Sequence, residues 1–446
     1  MAKTFDTSLR IDAAGPRGIP IVNNLRFLRH NAWYALDRVA SRFPGPVIPL
    51  TGGNGSVVLL RGEEGARGYF TENDVFERLS DGIFALPKGR PWSKMFDAVI
   101  TFNGDRHRRS RRLLMPITHK SAMDHYGTVF AETFKRSRFA RGDGEPFDMA
   151  AEFLDVTRAN MLVCLLGIDV DEANVRLAND VARLLRAFQN PLVLLFRSEA
   201  AWTPHGRWLR HLASVYDRLE LLIERKRADE PRRDALSILC HTVDENGDRL
   251  STPEIAGELH GLFAAGFETT AMSMTWALLT ILGTPGPFPG TEHDLDAAVR
   301  ESQRLIPTVP FSLPRRVARD IEVGPTVIPK GALAFAAPLL EHHDPASFPD
   351  PGVYRPSRWT GAKVSPYAFL PYGVGQRRCL GASFADLQIR TTLGLMRRPS
   401  LLTTEVDYVI RSGATAFPGR PVFVRTGPPA PAPGPVTGSV RRLWAA

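Results

Sequence analysis

Cys379 sits in the run Phe369-Leu370-Pro371-Tyr372-Gly373-Val374-Gly375-Gln376-Arg377-Arg378-Cys379-Leu380-Gly381. The run joins a thiol, two adjacent cations and three glycines. A cysteine in such a setting is built to ionise, and an ionised thiolate is a nucleophile or a metal ligand. The other two cysteines differ: Cys164 lies in Met161-Leu162-Val163-Cys164-Leu165-Leu166, and Cys240 follows Leu236-Ser237-Ile238-Leu239. Both read as small core residues. Three cysteines give no disulfide framework, so a reducing compartment is expected. No Cys-x-x-Cys pair and no Cys/His cluster with zinc spacing accompanies Cys379. A lone thiolate bound to a metal therefore points to haem, where one axial thiolate suffices.

The run resembles the haem-binding signature of the cytochrome P450 superfamily: Phe, any, Pro, aromatic, Gly, any, Gly, any, Arg, any, Cys, any, Gly. Every fixed position is met, with Tyr372 in the aromatic slot. The resemblance makes Cys379 the proximal ligand of haem b, Phe369 the ring beside the thiolate, and Arg377 a partner of a haem propionate. Gly373 and Gly381 belong to the same cofactor-binding run. Glycines there let backbone N–H groups approach the sulfur and tune the iron.

Two further motifs test that reading. Ala265-Gly266-Phe267-Glu268-Thr269-Thr270 lies in a long apolar stretch that starts near Ser251-Thr252-Pro253-Glu254 and runs to about Gly283. A hydroxyl N-cap, a proline in the first turn and an acid make a strong helix start. About thirty residues at 1.5 Å each make a rod of about 45 Å, enough to cross a domain. A glycine, an acid and two threonines in mid-rod cost propensity and desolvation, which marks them as functional. The segment resembles the family's distal-helix motif. By that resemblance Ala265 and Gly266 lie over the haem and admit oxygen, while Glu268 and Thr269 relay protons as the catalytic pair. A peroxide-using branch of the family replaces this pair with Arg-Pro, so a route driven by O2, electrons and protons is favoured here.

Glu301-Ser302-Gln303-Arg304 puts two charges on one helix face, which alone means little. Its place between the long helix and the cysteine run resembles the family's Glu-x-x-Arg pair. Pro356-Ser357-Arg358-Trp359 matches the expected third partner. Glu301, Arg304 and Arg358 are thus expected to form a buried structural charge network. In Asp105-Arg106-His107-Arg108-Arg109-Ser110-Arg111-Arg112, His107 and Arg111 match a propionate-binding pair on one helix face. Arg316 matches a third propionate arginine, with Arg315 beside it able to serve instead.

The fold that must position these residues is expected to be mainly α. The resemblance implies the cytochrome P450 fold, a large helical domain with a smaller β-rich lobe near the N-terminus. It covers about residues 15–425 of the 446. Residues 1–14 read as an N-terminal extension without an apolar run, so neither signal peptide nor membrane anchor is expected, and a cytoplasmic, bacterial-type enzyme is. Residues 426–446, with Pro428-Pro429-Ala430-Pro431-Ala432-Pro433-Gly434-Pro435, read as a disordered tail. A hydrophobic fraction of 43% supports a sizeable core.

The net charge of +9 comes without helix-turn-helix, zinc or aromatic–basic stacking patterns, so nucleic acid is rejected as a partner. Arg108, Arg109, Arg112, Arg377 and Arg378 are expected to form a positive dock on the cysteine side. It would steer an acidic ferredoxin, itself served by a ferredoxin reductase, or a flavodoxin. The chain shows no flavin or iron–sulfur motif of its own, so electrons come from separate proteins. By analogy the substrate pocket includes Phe84, Leu86, Trp92, Phe188, Phe263, Val309 and Phe417. This apolar, aromatic set favours a lipophilic small molecule such as a terpenoid, steroid-like or polyketide skeleton. The expected reaction is hydroxylation or epoxidation with O2. Oxidative ring closure or coupling, or peroxide use, is the alternative on the same scaffold. A non-catalytic haem sensor is a distant rival, since it would not need the acid–alcohol pair.

Overall fold

The computed structural model describes residues 43, 45–51, 57–79, 91–186, 193, 198–361, 363–411, 415–427 and 434–444. Its longer helices are α1 (Gly62–Thr71), α2 (Gly104–Leu114), α3 (Lys120–Arg136), α4 (Met149–Asn160), α5 (Glu172–Arg186), α6 (Pro204–Ala228), α7 (Ala235–His241), α8 (Thr252–Gly283), α9 (Glu292–Leu305) and α10 (Ala382–Gly394). The mainly α fold class expected from the sequence is what the chain adopts.

Helix α8 is the axis of the molecule. Ser251 caps its first turn, with Glu254 reaching back to the Ser251 amide at 2.8 Å and Pro253 in the first turn. The rod is apolar nearly all round, as a helix buried on every side must be. Its two halves enter different cores. Residues Ile255–Phe267 pack with α2, α5, α6 and α7, while Ala271–Leu282 pack with α4, α9, α10 and the strands near the C-terminus. Gly257 and Gly261 let a neighbouring chain approach closely. A Cβ at Gly257 would stand 2.2 Å from the Asp97 carbonyl oxygen, and one at Gly261 would stand 2.9 Å from Ala98 Cβ.

The β-rich lobe is a five-stranded sheet. Strands β1 (Val47–Thr51), β2 (Val57–Leu60) and β3 (Phe76–Arg78) come from the N-terminal part, and β5 (Arg315–Val317) and β8 (Leu333–Ala336) from the chain after α9. The order is β1-β2-β8-β5-β3, with β2 and β8 parallel. Two of the five strands of the lobe expected near the N-terminus are therefore supplied from far along the chain. That exchange brings the Arg315 strand beside α1 and the cysteine run. The lobe has its own core of Val58, Leu60, Tyr69, Phe70, Phe76, Val317 and Ala334.

The expectation of a disordered tail over 426–446 is corrected for residues 434–444. Val436, Val440, Leu443 and Trp444 are buried in the core that holds the second half of α8. The proline-rich composition hid this because the tail's partner is distant. Gly283 ends α8 directly under it, and a Cβ there would lie 2.4 Å from Trp444 Cη2. Replacing a buried aromatic by alanine costs about 3–5 kcal/mol. Trp444→Ala is therefore expected to lower the unfolding free energy by that order in a urea titration, with the midpoint falling accordingly, and an unchanged midpoint would contradict the packing of the tail.

Candidate active site

Of the three cysteines, Cys379 alone is exposed. Burial pushes the thiols of Cys164 and Cys240 up, that of Cys240 to about 11, which keeps both inert as expected. Crowding by protein also raises Cys379, but the Gly381 amide, Arg378 and Arg111 act in the opposite direction. The run around Cys379 is folded tightly. The Cys379 amide donates to the Tyr372 carbonyl at 2.9 Å. Gly373 (φ +64°) and Gly375 (φ +75°) adopt left-handed conformations against α1, where a Cβ on Gly375 would stand 2.9 Å from the Phe70 carbonyl oxygen. Gly381 has an ordinary φ of −84°, and a Cβ there would meet nothing within 4 Å.

The middle of α8 is unlike the rest of the rod. Ala265 is exposed and Gly266, Glu268 and Thr269 are half-exposed, in a rod that is buried over most of its length. An exposed alanine in the centre of a core helix marks an internal hollow. Thr269 Oγ1 donates to the Ala265 carbonyl one turn back, as helical threonines do. Gly266 is approached by Met161, whose Cε would be 3.2 Å from a Cβ there. Met161 opens the π-helical turn Met161–Leu166 that continues α4.

A cluster of cations gathers beside the cysteine run. His107 is buried on α2, and its imidazole is pushed down to about 4, first by burial and then by Arg377, Arg111, Arg78 and Arg108. Arg377 is pushed down to about 9, by burial and by Arg78 and Arg315. It donates to Asn103 Oδ1 at 2.8 Å, and the same oxygen accepts from the Arg78 amide at 2.8 Å. Arg315 donates to the Tyr69 carbonyl at 2.5 Å and lies over the Tyr69 ring at 4.3 Å. Arg78 Nε, Arg315 Nε and Nη2, and Arg377 Nε are buried without a hydrogen-bond partner among the described residues. None of Arg78, Arg111, Arg315 and Arg377 pairs with a carboxylate there.

The sequence assignment of Arg316 is corrected by this geometry. Strand β5 alternates buried, exposed, buried, so Arg315 shares the inner face with Val317 and Arg316 points outward. Phe263 is corrected as well. It is 1% exposed and stacks on Phe267 at 5.6 Å within the core, on a different side of α8 from Ala265. Val309 and Phe417 are half-buried. Phe84, Leu86 and Phe188 lie outside the described residues, as does the side chain of Trp92, whose backbone belongs to the 3₁₀ turn Pro91–Phe96.

The structure brings Glu301, Arg304 and Arg358 together. Arg304 grips Glu301 with two bonds, Nε to Oε2 at 3.0 Å and Nη2 to Oε1 at 2.8 Å, and Arg358 Nε adds a third at 3.1 Å. Sequence reasoning missed two further donors, Trp359 Nε1 at 3.0 Å and the Arg355 amide at 3.0 Å. It also missed His342, whose Nε2 accepts from the Leu370 amide at 2.8 Å. Phe369 is half-buried between the Trp359 ring at 4.5 Å and the His342 ring at 5.3 Å. Glu258 went unnoticed too. Buried in α8, it accepts from the Val99 amide and Ser110, and burial pushes it up to about 7. Three of the cations expected to form a dock are paired: Arg108 with Asp105, Arg109 with Glu254 at 2.9 Å, and Arg112 with Glu245 at 3.5 Å. Arg378 is exposed.

Comparison with known proteins decides the family. The model of the family described as Cytochrome P450 matches residues 13–286 and 294–398. The chain belongs to the cytochrome P450 family. Cytochrome P450 138 of Mycobacterium tuberculosis is 30% identical over 334 residues, covering 70% of this chain and 74% of that one. Cytochrome P450 135B1 of the same organism is 28% identical over 328 residues, covering 69% of each. Among solved structures, a retinoic acid-bound cyanobacterial CYP120A1 aligns with a TM-score of 0.73 at 23% identity, over 90% of this chain and 96% of that one. P450BioI, in complex with an acyl carrier protein ligated to hexadec-9Z-enoic acid, also aligns at 0.73, with 19% identity over 90% and 100%. This P450 is thus a haem-thiolate monooxygenase, an oxidoreductase that uses O2 and electrons from redox partners. No helix among the described residues is long and apolar enough to cross a membrane.

The cation cluster fits the cofactor of the family. Buried guanidinium N–H groups without partners are costly, and two propionates would supply the missing acceptors. Arg315→Ala is expected to lower haem retention strongly through dilution and gel filtration, while Arg316→Ala retains it. The reverse order would contradict the inward placement of Arg315.

Proposed function

We propose that this P450 binds haem b through Cys379 and inserts one oxygen atom of O2 into a lipophilic small molecule, using electrons from a small acidic redox protein of the ferredoxin type. The observation that carries this reading is the one exposed cysteine, set beside a group of cations that lack acidic partners among the described residues. His107, Arg111, Arg315 and Arg377 would hold the propionates, and Cys379 would supply the axial sulfur. Bound in this place, the haem supplies oxygen activation and transfer, helped by the electron density that a thiolate donates.

The chain's own task is to orient, to deliver protons and to control water. Thr269 Oγ1 stands one turn from Ala265 on the open side of α8. In that position it passes a proton into the hollow and regains one from the Glu268 carboxyl, a positioned acid next to it in sequence. Apolar groups at Leu262, Val309 and Phe417 are half-buried and present no charge, which suits a terpenoid, steroid-like or polyketide skeleton. Retinoic acid and a hexadecenoyl chain in two structural neighbours indicate that the scaffold admits such molecules. Arg378 is exposed beside Cys379, and the side chains of Arg108 and Arg112 are about half exposed in ion pairs of the weak surface kind. An acidic partner can compete for these cations, and its approach slows as salt rises.

Substrate is to be found by following displacement of haem-bound water by absorbance across terpenes, steroids, fatty acids and macrolides. With that substrate, Thr269→Ala is expected to keep consuming reductant, to release hydrogen peroxide, and to lower product per reductant about tenfold or more. An unchanged product yield would contradict the proton-delivery role.

A further inference from the structure

The aromatic slot before Gly373 needs only a ring for packing, yet here it carries a hydroxyl with two partners. Tyr372 Oη donates to Asp386 Oδ1 at 2.6 Å and accepts from Gln303 Nε2 at 3.0 Å. Asp386 belongs to α10, which follows the cysteine run, and Gln303 to α9. The backbone of the same tyrosine accepts from the Cys379 amide at 2.9 Å. One residue therefore ties the thiol's own peptide group to two helices that approach from different sides.

The helix phase explains why Gln303 can do this. Residues two apart on a helix do not share a face. Glu301 turns toward Trp359 and Arg358, whereas Gln303 turns toward the cysteine run. Burial pushes the Tyr372 phenol well above its ordinary range, with the Asp386 carboxylate acting in the same direction, so the phenol stays a donor. Around Asp386 the charged neighbours are Arg390, Arg378 and Asp296.

We propose that Tyr372 is a positioning residue for the haem thiolate: the Gln303–Tyr372–Asp386 chain fixes the Cys379 run between α9 and α10, and the Asp386 carboxylate sets the negative potential at the sulfur. The inference rests on Cys379 being the axial ligand.

Three variants of the haem-loaded protein separate the clamp from the charge. Tyr372→Phe keeps the ring and removes the clamp. Asp386→Asn keeps an acceptor for the phenol and removes the charge. Gln303→Leu leaves phenol and carboxylate intact and removes the third member. The readouts are the rate at which the thiolate-type ferrous–CO band converts to the shorter-wavelength form without thiolate, and the haem reduction potential. Losing a charge-assisted hydrogen bond corresponds to about a tenfold change. Tyr372→Phe is expected to convert about tenfold faster, with Gln303→Leu changed in the same direction. Asp386→Asn is expected to hold its band while its potential rises. If Tyr372→Phe folds and both it and Gln303→Leu convert at the wild-type rate, the inference is overturned, whatever their melting temperatures. If Tyr372→Phe fails to fold, a wild-type rate in Gln303→Leu overturns it equally. A wild-type protein without the thiolate-type band would instead sink the assignment of Cys379 as ligand.

Discussion

The Glu301 carboxylate is the interaction on which the cysteine run depends. It is fully buried and accepts from five donors: two N–H groups of Arg304, Arg358 Nε, Trp359 Nε1 and the Arg355 amide. A buried charge so satisfied is tolerable, whereas removing one partner of such a pair costs about 3–5 kcal/mol. The network reaches the cysteine run by two routes. Trp359 stacks on Phe369, and Arg304 donates at 2.8 Å to the carbonyl of His342, whose ring accepts from the Leu370 amide. Two residues at the head of the signature, Phe369 and Leu370, are thus held by a charge network ten positions or more from the sulfur in sequence.

The cations beside the cysteine run carry unsatisfied charge. Arg78, Arg111 and Arg377 gather around His107, with Arg315 acting on Arg377, and the described residues give Arg78, Arg315 and Arg377 carbonyl and amide oxygens but no carboxylate. Such an assembly is unfavourable alone and favourable around a dianion. Binding of the cofactor and stability of the fold are then linked, since a ligand that binds only the folded chain stabilises it. The lobe strand that carries Arg315 and the helix that carries His107 come from distant parts of the sequence, so the same anion would join the lobe to the helical body.

What could be read from the sequence follows from where each constraint acts. The distinctness of Cys379 from the two buried cysteines and the pairing of Glu301 with Arg304 and Arg358 were legible because their chemistry is local or strictly spaced. The start of α8 was legible because Ser251 and Glu254 satisfy each other within one turn. Arg315 and Arg316 could not be separated by spacing, since a strand turns adjacent residues to opposite faces and only the register of β5 against β3 and β8 decides which is inward. Phe263 required the phase of α8 relative to the hollow. The tail was misread because its partner, Gly283, lies more than a hundred residues away. Asn103, His342 and Tyr372 act through hydrogen bonds to backbone or side chains distant in sequence, which composition does not signal.

The most direct test is the reduced, carbon monoxide-treated absorbance spectrum of the purified protein beside its Cys379→His variant. The wild type is predicted to show the long-wavelength band that gives the family its name, and the variant to lose it while still holding haem. A band that survives the substitution, or a wild type whose iron is held by nitrogen alone, would contradict the assignment of Cys379.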